Sequence, residues 1–324
     1  MIDQQLGGSA WADLSGLELL KGHSTGKDLL LLIDPDCQVE LGAAQVTALC
    51  DRRVGVGADG FVRVVRTSAL PGAEGFAQAV PEAEWFMDHY LPDGSVAPVC
   101  GSALRLFAQV LDAQGLQPLA DGEAVTVGTR WGARTVTRSG ELWTVDMGPA
   151  HLLLPPQAAA DPRAEGWDTL VELPGLAGYR AALSLSLSAP HTVVALAEES
   201  ELEAVDLSGL QGTQDLDVVP RPEDGTSLSL VVPLGVEDTG GQEVGRARLR
   251  ALKQGGGEDP SGGDGACAVA VALHEWEGAG APQDYLLEVP GGSLGVHVGE
   301  DPWAPGATLL LTGPATITGR VVLA

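Results

Sequence analysis

Cys100 stands in Val99-Cys100-Gly101-Ser102-Ala103-Leu104-Arg105, where a stretch begins in which Ala103, Leu104, Phe107, Val110 and Leu111 recur at helical spacing. That spacing predicts a helix over Ser102–Gln114 with its apolar face in a core. A thiol at such a helix start meets unpaired backbone N–H groups and the positive end of the helix dipole. Both favour the thiolate, the form that removes protons or attacks carbon. A second turn, Ser261-Gly262-Gly263-Asp264-Gly265, feeds a segment from Ala266 to Leu273 that is apolar on every side and reads as a helix through the middle of a domain. The chain thus carries one device twice, and only the first copy has a cysteine in the turn.

Around these two turns the chain reads as many strands and few helices. Leu29–Ile33, Phe61–Val65, Ala124–Val127, Leu142–Met147, Leu228–Val232, Tyr285–Val289 and Ala307–Leu311 are strand-like runs bounded by Gly, Pro, Asp or Ser. Ala43–Asp51, Ser102–Gln114 and Ala266–Glu277 read as helices, with a further turn near Ser200–Leu207. This pattern predicts an α/β (α+β) fold in which each half wraps a mixed sheet on a helix. Residues 1–16 are small and polar without periodicity and read as an N-terminal extension. Gly148-Pro149 and the Pro- and Ala-rich stretch 154–162 mark a domain boundary.

The chain has 324 residues, enough for two domains with cores of their own. Its 44 acidic and 18 basic residues give a net charge of −26, which repels phosphate backbones and anionic bilayers. Nucleic acid and membrane are therefore excluded as expected partners. The start lacks a basic segment followed by an apolar one, so no signal peptide is expected and the location expected is the cytoplasm. Cysteines at 37, 50, 100 and 267 have no metal-type spacing, and no metal or disulfide is expected. Gly55-Val56-Gly57-Ala58-Asp59-Gly60 has the look of a dinucleotide fingerprint, but it precedes a strand instead of opening a helix.

Taken in series, several segments resemble diaminopimelate epimerases of the actinobacterial type. They are Lys21-Gly22-His23-Ser24-Thr25-Gly26, Cys50 to Gly60, Trp85-Phe86-Met87-Asp88, Asp93-Gly94-Ser95, Val99-Cys100-Gly101, Asp146-Met147-Gly148-Pro149, Pro190-His191, Gly265-Ala266-Cys267-Ala268, Pro290-Gly291-Gly292 and Leu311-Thr312-Gly313-Pro314. The resemblance implies two pseudo-symmetric domains, the first from 17–130 plus 312–324 and the second from 131–311. It implies stereoinversion of LL- and meso-diaminopimelate, in lysine and peptidoglycan precursor synthesis, with neither pyridoxal phosphate nor metal, so no cofactor is expected. One thiol removes the α-proton and a second delivers a proton to the opposite face.

By the same resemblance Cys100 is the first thiol, and the position of the second is Gly262, which can neither give nor take a proton. Cys267 lies five residues later, inside the helix and several ångströms deeper. Substrate-binding asparagines of the family fall on Lys27, Leu91, Ala189 and Ser227, a Glu-Arg pair falls on Lys253 and Gln254, and the turn around the first thiol becomes Gly101 and Ser102. Gly263 persists, Asp264 stands where the family has a small hydroxyl residue, and His191 matches a histidine of the substrate cleft. Each charged end of a zwitterion needs a hydrogen-bonding partner when buried, and Leu91 and Ala189 offer none. The expectation is a diverged member of weak or no epimerase activity. Two other readings stand beside it: a one-base isomerase of a less polar substrate using Cys100, and a non-catalytic binding or dimer-partner protein. Expected partners are a small amino-acid-like or carboxylate ligand and, for a homodimer, a second copy of the chain.

Overall fold

The computed structural model describes residue 11 and residues 14–153 and 166–324. The chain divides into two compact units, one running to Val145 and including Pro314–Ala324, the other Asp146–Gly313.

In the first unit the strands lie in the order Thr316–Val322, Glu18–Ser24, Lys27–Ile33, Phe61–Arg66, Trp85–Tyr90, Ala124–Thr129, Gly132–Ser139, Leu142–Asp146. Successive pairs run antiparallel twice, then parallel, antiparallel, parallel, and antiparallel twice. A parallel pair needs a crossover, and the two crossovers carry the helices Ala43–Cys50 and Gly101–Ala113. The second of these packs against Glu18–Ser24, Thr316–Val322, Trp85–Tyr90 and Gly132–Ser139, strands far apart in the sheet order. The sheet therefore curls round this helix, whose residues from Gly101 to Ala108 are all buried. Leu29 to Leu32 are buried in succession because both faces of their strand are covered.

The second unit repeats the plan. Thr169–Glu172, Tyr179–Ser186, Pro190–Ala195, Ser227–Asp238, Glu243–Leu252, Asp284–Val289, Gly292–Val298 and Leu309–Gly313 pair in the same sequence of senses. The crossovers carry Glu199–Ala204 and Gly263–Glu277, and the longer helix packs against five of these strands. Ala266 to Ala272 are each fully buried; their small side chains let a sheet close round them on every side.

The α/β (α+β) class and the helix-centred halves read from the sequence are those of the structure. The boundary differs. Residues 131–145, assigned from the sequence to the second domain, belong to the first unit because Gly132–Ser139 and Leu142–Asp146 continue its sheet as an antiparallel meander. Thr312 and Gly313 fall in the second unit, where Thr312 pairs with Gly295. The N-terminal extension is corrected at its end: Leu14 is 1% exposed, in a core with Leu19, Leu49 and Phe61, and Gly16 N–H donates to Leu323 O. The stretch 154–162 lies outside the described residues.

Candidate functional site

The two Gly-rich turns cap equivalent helices. Cys100 is the N-cap of Gly101–Ala113 and Gly262 the N-cap of Gly263–Glu277. Their backbones differ: Cys100 is extended at φ −138°, whereas Gly262 is left-handed at φ 56°.

In the first unit a hairpin brings a cation to the thiol. Ser24 pairs with Lys27 across a turn whose central residues, Thr25 and Gly26, both have positive φ, 47° and 86°. That is the pattern of a two-residue turn matched to strand twist, with a β-branched residue in an unfavourable place. Thr25 is held there by Arg105, fully buried in the helix behind Cys100, whose Nη2 donates to Thr25 Oγ1 at 3.1 Å and to Ser102 Oγ at 3.3 Å. The hairpin so pinned sets Lys27 Nζ 3.2 Å from Cys100 Sγ, to which it donates.

A clamp steadies the same hairpin. Arg52 donates to both oxygens of Asp28 and to Asp59, and Lys21 pairs with Asp28 at 2.7 Å. Burial alone raises the Asp28 carboxyl, but hydrogen bonds from Arg52 and Lys21 outweigh it and hold it well below the usual carboxylate range. Beside this clamp, Lys21 Nζ also donates to Gly57 O, and Gly55 packs against the end of the helix Ala43–Cys50, where a Cβ would meet Ala48 O. Leu91 lies in the turn that follows Trp85–Tyr90, where its N–H donates to Ser95 O.

In the second unit the residues near the helix start are engaged among themselves. Lys253 Nζ lies 3.3 Å from Asp259 Oδ2, Gln254 N–H donates to Ser227 Oγ at 3.3 Å, and Ser188 Oγ donates to Asp264 Oδ2 at 3.4 Å. Ala189 sits in the turn between Tyr179–Ser186 and Pro190–Ala195. His191 is 6% exposed, with neither ring nitrogen hydrogen-bonded among the described residues. Burial lowers its pKa, while Asp264 and Asp259 pull the other way. Gly262 and Gly263 are buried, and a Cβ on Gly262 would lie 2.6 Å from Val289 Cγ1 and 3.2 Å from Leu249 Cδ1. Cys267 is fully buried in the helix.

The structure thus brings Lys27, Cys100, Gly101 and Ser102 together in one unit, and His191, Ser227, Lys253, Gln254, Gly262, Gly263 and Asp264 round a helix start in the other. Sequence reasoning missed Arg105, Thr25 and Val289. Arg105 left a signal, a charge inside an apolar helical pattern; Val289 left none. Among the described residues no group of three or more His, Cys, Asp or Glu could hold a metal ion, and no helix is long and apolar enough to cross a membrane.

The doubled sheet-and-helix plan recurs in known proteins. A PhzF-family phenazine biosynthesis protein of Bacillus anthracis superposes with a TM-score of 0.62 at 13% identity, over 94% of this chain and 98% of that one. A probable proline racemase of Agrobacterium radiobacter gives 0.58 at 16% identity, over 95% and 93%. These likenesses are of fold. In sequence, the diaminopimelate epimerase of Streptomyces coelicolor is 37% identical over 311 residues, 94% of each chain. That of Rhodococcus jostii is 32% identical over 318 residues, 95% of this chain and 97% of its own. The model of the family described as diaminopimelate epimerase matches residues 19–153. With a relative this similar along nearly its whole length, and the doubled fold beneath it, the chain belongs to the diaminopimelate epimerase family.

Proposed function

We propose that this family member has lost two-sided inversion of diaminopimelate and keeps acid–base chemistry on one face, at Cys100. The observation that carries the reading is the start of the second helix. Gly262 has no side chain, its backbone is left-handed, and Val289 fills the space a side chain would take. Inversion needs a group on each face of the α-carbon, one to take a proton and one to give it. Proton exchange with retention, or a 1,3-shift along one face, needs only the group that remains.

The surrounding side chains support the same reading. Leu91 and Ala189 offer a zwitterion no side-chain partner, and Lys253 is paired with Asp259. The Asp264 carboxylate in the first turn of the helix opposes a second carboxylate where a helix start otherwise attracts one. The ligand class that fits is a small carboxylate less polar than diaminopimelate.

The test is a side-by-side assay with the Streptomyces coelicolor enzyme on LL-diaminopimelate. Formation of the meso isomer by this chain is expected to be slower by about 10³-fold or more, the scale of loss when one cooperating acid–base group is removed. Comparable rates overturn the proposal.

A further inference from the structure

A cation stands against the thiol that remains. Lys27 Nζ donates to Cys100 Sγ at 3.2 Å. The contact is built: Lys27 opens the strand Lys27–Ile33, and the turn before it is pinned by fully buried Arg105 through Thr25. Cys100 itself is 7% exposed.

We propose that Lys27 is the positioning residue of Cys100: its ammonium fixes the sulfur, balances the negative charge that sulfur carries when it acts as a base, and draws carboxylate ligands to that spot. The inference rests on the single-face reading above and names its ligand class, a small molecule with an acidic C–H beside a carboxylate. In the step so assisted, Sγ takes the proton and forms an S–H bond, and the C–H electron pair passes into the carboxylate-stabilised carbanion. The same S–H then returns a proton to that face, at the same carbon or at a conjugated one. A neutral side chain at 27 could fix the sulfur but could not balance its charge. In a chain of net charge −26, a cation that recruits anions works against the field of the whole molecule, so its effect is local and measurable.

The test uses two probes of similar size on the full-length chain, iodoacetate, which bears a carboxylate, and neutral iodoacetamide. Each forms an Sγ–C bond at Cys100 as iodide leaves, and the adduct is quantified on the Cys100 peptide by mass spectrometry. The ratio of the two rates cancels accessibility. The wild-type ratio is expected to exceed that of N-acetylcysteine by about threefold or more, given a cation in contact with the sulfur. Lys27→Arg is expected to keep the raised ratio, whereas Lys27→Gln and Lys27→Met bring it to the N-acetylcysteine value or below. A wild-type ratio at or below that value, no reaction with either probe, or a raised ratio that survives Lys27→Gln overturns the inference. The wild-type comparison needs no variant to fold. No turnover enters the measurement, so a chain found to invert diaminopimelate would sink the single-face reading and leave this ratio as it was.

Discussion

Gly262 and Val289 decide what the second helix start can do, and they do so through backbone and space. An L-residue at φ 56° costs about 1–2 kcal/mol in left-handed strain, and its Cβ would press on Val289 Cγ1. Gly262→Ala is therefore expected to lower unfolding free energy in urea by about 1–3 kcal/mol, and Val289→Ala in the same chain to cut that penalty. An unchanged denaturation midpoint in Gly262→Ala would show that the turn tolerates a side chain. The glycine was legible in the sequence, because its turn repeats the one before Cys100. Its conformation was not, since Val289 is brought beside it only by the folded sheet. Lys27 and Cys100 were likewise each visible by type and position, while their contact depends on a two-residue turn with Thr25 at positive φ. Burial pushes the Cys50 thiol up to about 11.

At the level of elements, Asp168 marks the entry to a strand of the second unit. It stands just before the strand Thr169–Glu172 and accepts a hydrogen bond from Ser184 N–H, yet its other oxygen is buried without a partner among the described residues. Burial raises its pKa to about 6 from 3.8, more than the hydrogen bonds from Ser184 and Thr169 lower it. A carboxyl raised on folding adds stability that is fully present below its unfolded value and is lost as pH rises through its folded one. The second unit should thus lose stability between pH 3.8 and about 6 on account of this group. Asp168→Asn is expected to raise the melting temperature relative to wild type at pH 7 and not at pH 4; an equal shift at both would refute the assignment. Two strands of this unit, Tyr179–Ser186 and Glu243–Leu252, escaped the sequence reading. Glu243–Leu252 alternates buried residues with half-buried charges such as Arg246, Arg248 and Arg250, while Tyr179–Ser186 opens on exposed or half-buried Tyr179, Arg180 and Ala181 and carries Ser184 within its buried run, and both dilute an apolar pattern. Leu29–Ile33 was plain because both of its faces are covered.

For the whole molecule, the repeat was the readable part. Two Gly-rich turns before two apolar helices announced two similar halves, and both units show the same order of antiparallel and parallel pairs. The Gly148-Pro149 turn read as a boundary lies beside the division after Val145, whereas the division implied by the resemblance falls earlier, at 130, because the hairpins of 124–146 extend the first sheet. The two helix starts do not share the symmetry of the fold, with a thiol at one and a glycine at the other. The most direct test of that asymmetry places LL-diaminopimelate with the chain in heavy water and reads, in one sample, the deuterium at the α-carbon and its configuration. Any deuterium that enters is predicted to be found in the LL isomer and to be lost with Cys100→Ala. Deuterium accumulating in the meso isomer would contradict the account, because it would require a second proton donor besides Cys100.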